Sequence, residues 1–273
     1  MATMQYKASS YLTTKKPLNP FLPLMAGLIG LAWITLWVWE RSPYGRYLNH
    51  GELAELDLGV VNQAGLYVAG WMLMVAAMML PTILPLAEMF RRLTAKRGDH
   101  RQLVALLITG YLAVWFTFGL AAHIFDWGLH ELVEATPILE ANAWLFGAGV
   151  LILAGAFQFS SLKYQCLDKC RAPLSFLSQY WRGSGQKWLA FALGVHHGLF
   201  CVGCCWALML LMFAVGTGNV GWMLALGAVM AIEKNMPWGR RLSQPLGLAL
   251  LAWGMLIVGQ NVVGFDFPAT AAG

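Results

Sequence analysis

Apolar residues run along this chain in long blocks, and the short stretches between the blocks hold nearly all of its charge. A helix rises about 1.5 Å per residue, so about 20 apolar residues carry it across a hydrocarbon core of about 30 Å. Seven segments meet or approach that length: 20–39, 65–87, 103–125, 144–162, 189–215, 220–233 and 246–264. The sixth reaches Glu233 after only 14 residues and is expected to be a short or half-embedded helix. The pattern predicts an all-α, polytopic helical membrane protein of about seven transmembrane helices. A cytoplasmic tail over 1–19 precedes the membrane domain at 20–264, and a short tail over 265–273 follows it. The first block lies behind Lys15 and Lys16, as in a signal peptide. Its apolar stretch from Phe21 to Trp39 is too long for one, and it ends in Trp-Glu-Arg instead of small residues, so it reads as a retained helix.

The polar stretches set an orientation. With the N-terminus inside, the inner segments hold Lys7, Lys15 and Lys16, then Arg91, Arg92, Lys96, Arg97 and Arg101. Lys163, Lys169, Arg171, Arg182 and Lys187 follow, and Lys234, Arg240 and Arg241 come last. These are 16 of the 18 lysines and arginines, and only Arg41 and Arg46 fall outside. The outer segments carry Glu52, Glu55, Asp57, Asp126, Glu131, Glu134 and Glu140. Positive charge kept on the cytoplasmic side is the signature of a bacterial inner-membrane, multi-pass protein. Gly70-Trp71-Met72-Leu73 of the second span recurs as Gly221-Trp222-Met223-Leu224 of the sixth, which suggests a parallel internal duplication. A chance match between two Met- and Leu-rich helices is the competing account.

Composition agrees with the pattern. The chain is 59% hydrophobic and 11% charged, against about 25% charged in soluble domains. The net charge of +5 does not mark a nucleic-acid partner, because the basic residues form no continuous solvated face. Five cysteines in two short clusters suit metal or redox chemistry better than an extracellular disulfide framework.

The fifth span carries His196-His197-Gly198-Leu199-Phe200-Cys201-Val202-Gly203-Cys204-Cys205-Trp206. At 100° per residue, His197, Cys201, Cys204, Cys205 and Met212 fall within an arc of about 100°. Thiolate and thioether are soft donors that favour copper(I), and thiolate also suits zinc or another transition metal. The plain alternative is that buried cysteine acts as a small hydrophobe. Cys166 and Cys170, after the fourth span, are one helical turn apart and flanked by Lys163, Lys169 and Arg171. They read as a two-thiolate capture point at the cytoplasmic mouth, with reversible acylation as the competing reading.

In the second span Met74, Met78, Pro81, Pro85 and Glu88 share a stripe, and the prolines are expected to free carbonyls and open the helix. Methionine stripes are usually packing material. Glu88 is the acid at the inner end of that span and reads either as functional or as snorkelling toward Arg91 and Arg92. Glu233 lies about 60° around the sixth span from Met230, ready to pair with Lys234 or with a cation. The chain has no Walker sequence, G-x-S-x-G or H-E-x-x-H, and its histidines are too few for the boxes of membrane diiron hydroxylases.

Trp71-Met72-Leu73, Met78-Met79-Leu80-Pro81-Thr82, Tyr164-Gln165-Cys166 with Cys170-Arg171 and Pro173, Cys201-Val202-Gly203-Cys204-Cys205-Trp206-Ala207-Leu208-Met209 and Glu233-Lys234 together resemble a bacterial family. It is that of the predicted metal-binding integral membrane proteins, and the resemblance covers roughly 65–235. The resemblance implies metal binding and a link to copper supply for cuproenzymes such as tyrosinase-type oxidases. The family pattern has a methionine after the glycine closing the fifth span; Gly216-Thr217-Gly218 lacks it, so no ligand is assigned there. The expectation is a copper(I) transporter or membrane chaperone, not an enzyme, that supplies a cuproenzyme or exchanges with a soluble copper chaperone. Its expected metal residues are Cys201, Cys204, Cys205, His197, Cys166, Cys170, Met74, Met78, Met212, Met230, Glu88 and Glu233. A membrane metalloenzyme with a His/Glu/Cys site and a thiol redox or sensor protein are the other readings. Transport direction and oligomeric state stay open.

Overall fold

The computed structural model describes residues 20–42, 60–181, 187–215 and 219–263. The two tails, Arg46, Glu52, Glu55, Asp57, Arg182 and the 216–218 segment, on which some expectations rest, lie outside the described residues. The described residues are helical and contain no strand. In chain order the helices are α1 (Phe21–Glu40), α2 (Val60–Thr94), α3 (His100–Glu134), α4 (Pro137–Glu140) and α5 (Trp144–Phe157). They continue with α6 (Ser161–Arg171), α7 (Pro173–Tyr180), α8 (Lys187–Val215), α9 (Val220–Asn235), a 3-10 turn (Gly239–Leu242) and α10 (Ser243–Val263).

Five helical stretches are long and apolar enough to cross a bilayer: Phe21–Glu40, Ala64–Thr94, His100–Val133, Lys187–Met212 and Gly239–Val262. The count of seven is not reached among the described residues, and two segments account for the difference. The 144–162 span is not one rod: α5 and α6 are separated by a bend of 64°, and they make a sixth span only if counted together. The bend has a local cause. Ser160 adopts extended backbone and its side chain accepts from the Lys163 amide at 3.1 Å, which caps a new helix instead of extending the old one. The other segment is α9, whose 16 residues rise about 24 Å. It begins with its own cap, Asn219 accepting from the Trp222 amide at 3.0 Å.

Side-chain contacts fix how the helices run. Between α2 and α3, Tyr67 donates to the Gly119 carbonyl, Trp71 Nε1 to the Trp115 carbonyl, each at 2.9 Å, and Tyr111 to the Met79 carbonyl at 3.1 Å. Numbers that rise on one helix as they fall on the other make the pair antiparallel. α3 and α8 are parallel: Gly110 backs onto Phe191 and Val195, Gly194 onto Leu107 and Tyr111, and Gly198 onto Val114. Glycine is required along this seam because the facing backbones leave no room for a Cβ. Gly155 and Gly247 do the same between α5 and α10, whereas Gly147 and Gly149 face open space. Pro81 and Pro85 sit inside a continuous α2. In that stretch the Met79 carbonyl takes bonds from Thr82 and Tyr111.

The outer surface is apolar. Leu24, Leu31 and Ile34 of α1, Ile124 and Phe125 of α3 and Leu248 and Met255 of α10 are all exposed. An apolar patchwork of that extent fits lipid, not water. The repeated Gly-Trp-Met-Leu stretches sit in unlike places: Trp71 is buried and bonded to α3, whereas Trp222 is part-exposed against Trp253.

Candidate metal centre

The middle of α8 turns His197, Cys201, Cys204, Cys205 and Met212 into the interior, each at most 1% exposed. None faces lipid. The bend before α6 then lays Ser161–Arg171 against α8 and brings Cys166 and Cys170 beside the same group. Cys166 Sγ would stand 2.6 Å from a Cβ placed on Gly203, so a glycine at that point is what admits the thiol. The Cys170 thiol reaches both Cys201 and Cys204. The sequence separates a capture pair from an inner cluster; in the fold the two adjoin as one thiol-lined nest, Cys170 against Cys201 and Cys204 and Cys166 against Gly203. All five cysteines are free thiols and buried.

Three further helices contribute polar groups. Lys234 of α9 aims its ammonium at Cys201 Sγ, 2.8 Å away, and lies 3.7 Å from Cys205 Sγ. Tyr111 of α3 places its hydroxyl 3.0 Å from Cys201 Sγ, and Thr82 of α2 lies 3.1 Å from that hydroxyl and 3.9 Å from the sulfur. Cys204 and Cys205 both donate to the Cys201 carbonyl, at 3.1 and 2.9 Å. A buried ammonium needs an anionic or strongly accepting partner, and here sulfur serves. Sequence reading passes over Lys234, Tyr111 and Thr82 as site residues.

His197 packs against Tyr111, with ring centroids 5.9 Å apart, and edge-on against Phe176 of α7 at 5.3 Å. Its Nδ1 is buried and has no hydrogen-bond partner among the described residues. A buried ring nitrogen left without a partner is costly and has the chemistry of a ligand atom in waiting. Among the described residues, however, no three His, Cys, Asp or Glu side chains stand as a ready-made metal cage.

The acidic candidates lie elsewhere. Glu233 is held by Lys163, whose Nζ is 2.8 and 2.9 Å from its two oxygens, and by Ser243 at 2.6 Å. Lys163 also donates to Gln158. Arg171 clasps the end of α9 through the Glu233, Met236 and Pro237 carbonyls. Glu233 therefore pairs with a lysine 70 residues away and not with its neighbour Lys234, which faces the thiols. Glu88 is gripped by Arg91 at 2.8 Å and Arg92 at 2.7 Å. Met74, Met78 and Met230 are buried in the core that contains the nest, with Met78 seated on Gly227 of α9.

No curated protein and no solved structure matches the chain. A family model does: PpoB2, described as a copper chaperone, matches residues 68–257. That interval takes in every residue of the thiol nest and of the polar groups around it, and on a match over more than half its length the chain belongs to the PpoB2 copper chaperone family.

Proposed function

We propose that the protein is a membrane-embedded copper(I) carrier that holds its cargo in the five-thiol nest and passes it to a cuproenzyme. The observation that carries this reading is that the two buried cysteine clusters, from α6 and α8, lie side by side, with an unpartnered imidazole nitrogen on the same stripe of α8. Soft thiolates select copper(I) over harder ions. Cys201 is the natural centre, because Cys170, Cys205, Lys234 and Tyr111 all meet there. Lys234 and Tyr111 keep that sulfur in place between deliveries. Cys170, Cys204, Cys205 and Cys166 are the further thiol donors, with His197 as a nitrogen donor. The buried thioethers of Met74, Met78, Met212 and Met230 offer weaker stations along a path. Glu88 and Glu233, already engaged with cations, serve as structural anchors.

The basic residues of the inner segments support a cytoplasmic N-terminus in a bacterial inner membrane, and the helix directions are compatible with that layout. Parallel α3 and α8 require an odd number of crossings between them, which α5 with α6 supplies as one broken crossing. On that layout the bent α6 lies on the basic, cytoplasmic side, where a soluble chaperone would exchange cargo.

Copper loading tests the reading. Purified wild type, reduced and offered copper(I) from a chromophoric chelator, is expected to retain near-stoichiometric metal. Cys201→Ser with Cys204→Ser is expected to retain almost none while remaining monodisperse. A wild type that fails to take copper from the chelator removes the proposal. A second variant probes the seat of α6. Gly203→Ala drives a methyl into Cys166 Sγ, the end of a short side chain that can turn away. The stability cost is expected within about 1–3 kcal/mol, with copper(I) affinity falling measurably in the same competition. Unchanged affinity would mean Cys166 is not a donor.

A further inference from the structure

The inner nest is closed: Cys201, Cys204 and Cys205 are 0–1% exposed, while Cys166 and Cys170 are 8% exposed, so no ion reaches the inner thiols unless a wall moves. α6 differs from the other walls in three ways. It is interrupted at both ends, by the 64° bend before Ser161 and by the non-helical Ala172 ahead of Pro173. It is held at one end by the buried Lys163–Glu233 pair, but toward the other by contacts at the surface. Asp168 pairs with Arg240 at 3.0 Å with both side chains about half exposed, and Arg171 bonds the Met236 and Pro237 carbonyls besides a part-buried bond to the Glu233 carbonyl. Third, its inner face carries Cys166 and Cys170, so any movement of this helix moves donors with it. Lys163, Cys166 and Cys170 lie within about 60° of one another around the helix, opposite Tyr164, Asp168 and Arg171.

Resting on the carrier reading, we infer that α6 is the gate of the nest, pivoting at Lys163 and latched by Asp168 and Arg171 to the segment that follows α9. Exposed ion pairs contribute little to stability, which suits a fastening that must open and close repeatedly. The latch end carries Cys170, four residues further from the pivot than Cys166, so Cys170 is the thiol that swings out to meet a donor or acceptor protein. A partner with carboxylates on its surface can take Arg240 from Asp168 and open the gate as it docks.

Residue-resolved thiol labelling of the metal-free, full-length protein in detergent tests this. Wild type, Arg240→Asp, the charge swap Asp168→Arg with Arg240→Asp, and Arg171→Met are each treated with a hydrophilic maleimide, and the labelled cysteines are identified by peptide mass. The labelling rate of Cys170 is expected to rise a few-fold in Arg240→Asp, as for loss of an exposed ion pair, and on the order of tenfold in Arg171→Met, which loses several charge-assisted bonds. Cys166 follows more weakly, Cys201, Cys204 and Cys205 rise less than Cys170, and the charge swap returns Cys170 toward wild type. Equal acceleration of all five thiols would show general loosening and overturn the gate, as would no acceleration of Cys170. Because no metal is present, the outcome stands apart from copper loading: a wild type that binds no copper removes the carrier, whereas unselective labelling removes only the gate.

Discussion

Glu233→Gln is expected to destabilise the protein by about 3–5 kcal/mol, the range found when one partner of a buried ion pair is removed. The Lys163 and Glu233 side chains are 0% and 2% exposed, so the lysine left behind can reach neither water nor another carboxylate: among the described residues only neutral amide oxygens remain, that of Gln158 and the one the substitution keeps at position 233. The carboxylate also accepts from Ser243, so a single change loosens α6, α9 and the start of α10 together. Lys163→Met is expected to cost a similar amount, because it strands the carboxylate. The double variant Lys163→Met with Glu233→Met should recover most of the loss, since a buried pair replaced by apolar side chains of like volume is close to neutral. Thermal unfolding of the purified variants in one detergent, followed by loss of the monodisperse peak, measures all three. A Glu233→Gln protein within 1 kcal/mol of wild type would mean that water reaches this site.

That pair also marks where the sequence stops being readable. Long apolar blocks announce α1, α2, α3, α8 and α10 because crossing a bilayer leaves a signal about 20 residues long. The break between α5 and α6 rests on one capping serine inside an otherwise helical composition, and a signal that short is lost in the apolar run around it. The consequence for the site is large. Without the bend, Cys166 and Cys170 belong to a loop below the membrane; with it, they join Cys201, Cys204 and Cys205. The candidate donor atoms themselves are legible, since three thiols and an imidazole on one stripe of α8 follow from helical spacing alone. Their polar surroundings are not, because Tyr111 and Thr82 are ordinary residues of apolar helices until α2, α3 and α8 are packed. Lys234 is a different case. The expectation pairs Glu233 with Lys234 or a cation, but adjacent helical residues point about 100° apart, and in the fold the two bond Lys163 and Cys201 instead.

Gly194→Val is expected to cost about 3 kcal/mol, the upper part of the overpacking range, and to disturb the nest from a distance. A Cβ at Gly194 would run into the Leu107 carbonyl and stand 2.9 Å from the Tyr111 amide. Both obstacles are backbone atoms, which cannot turn aside as a side-chain tip can, so α3 and α8 must separate. Tyr111 is the residue whose hydroxyl touches Cys201 Sγ, so the same separation draws that hydroxyl off the sulfur. Two effects should therefore appear together: a lowered unfolding temperature, and a copper(I) affinity reduced even at temperatures where the variant is fully folded. Gly147→Val is the control, because nothing lies within 4 Å of a Cβ there; its stability should stay within about 0.5 kcal/mol of wild type. Tyr111→Phe separates the two effects of Gly194→Val, since it keeps the ring and removes only the hydroxyl. If Tyr111→Phe holds copper as wild type does while Gly194→Val does not, the α3–α8 seam acts on the nest through the position of α8 itself and not through the tyrosine.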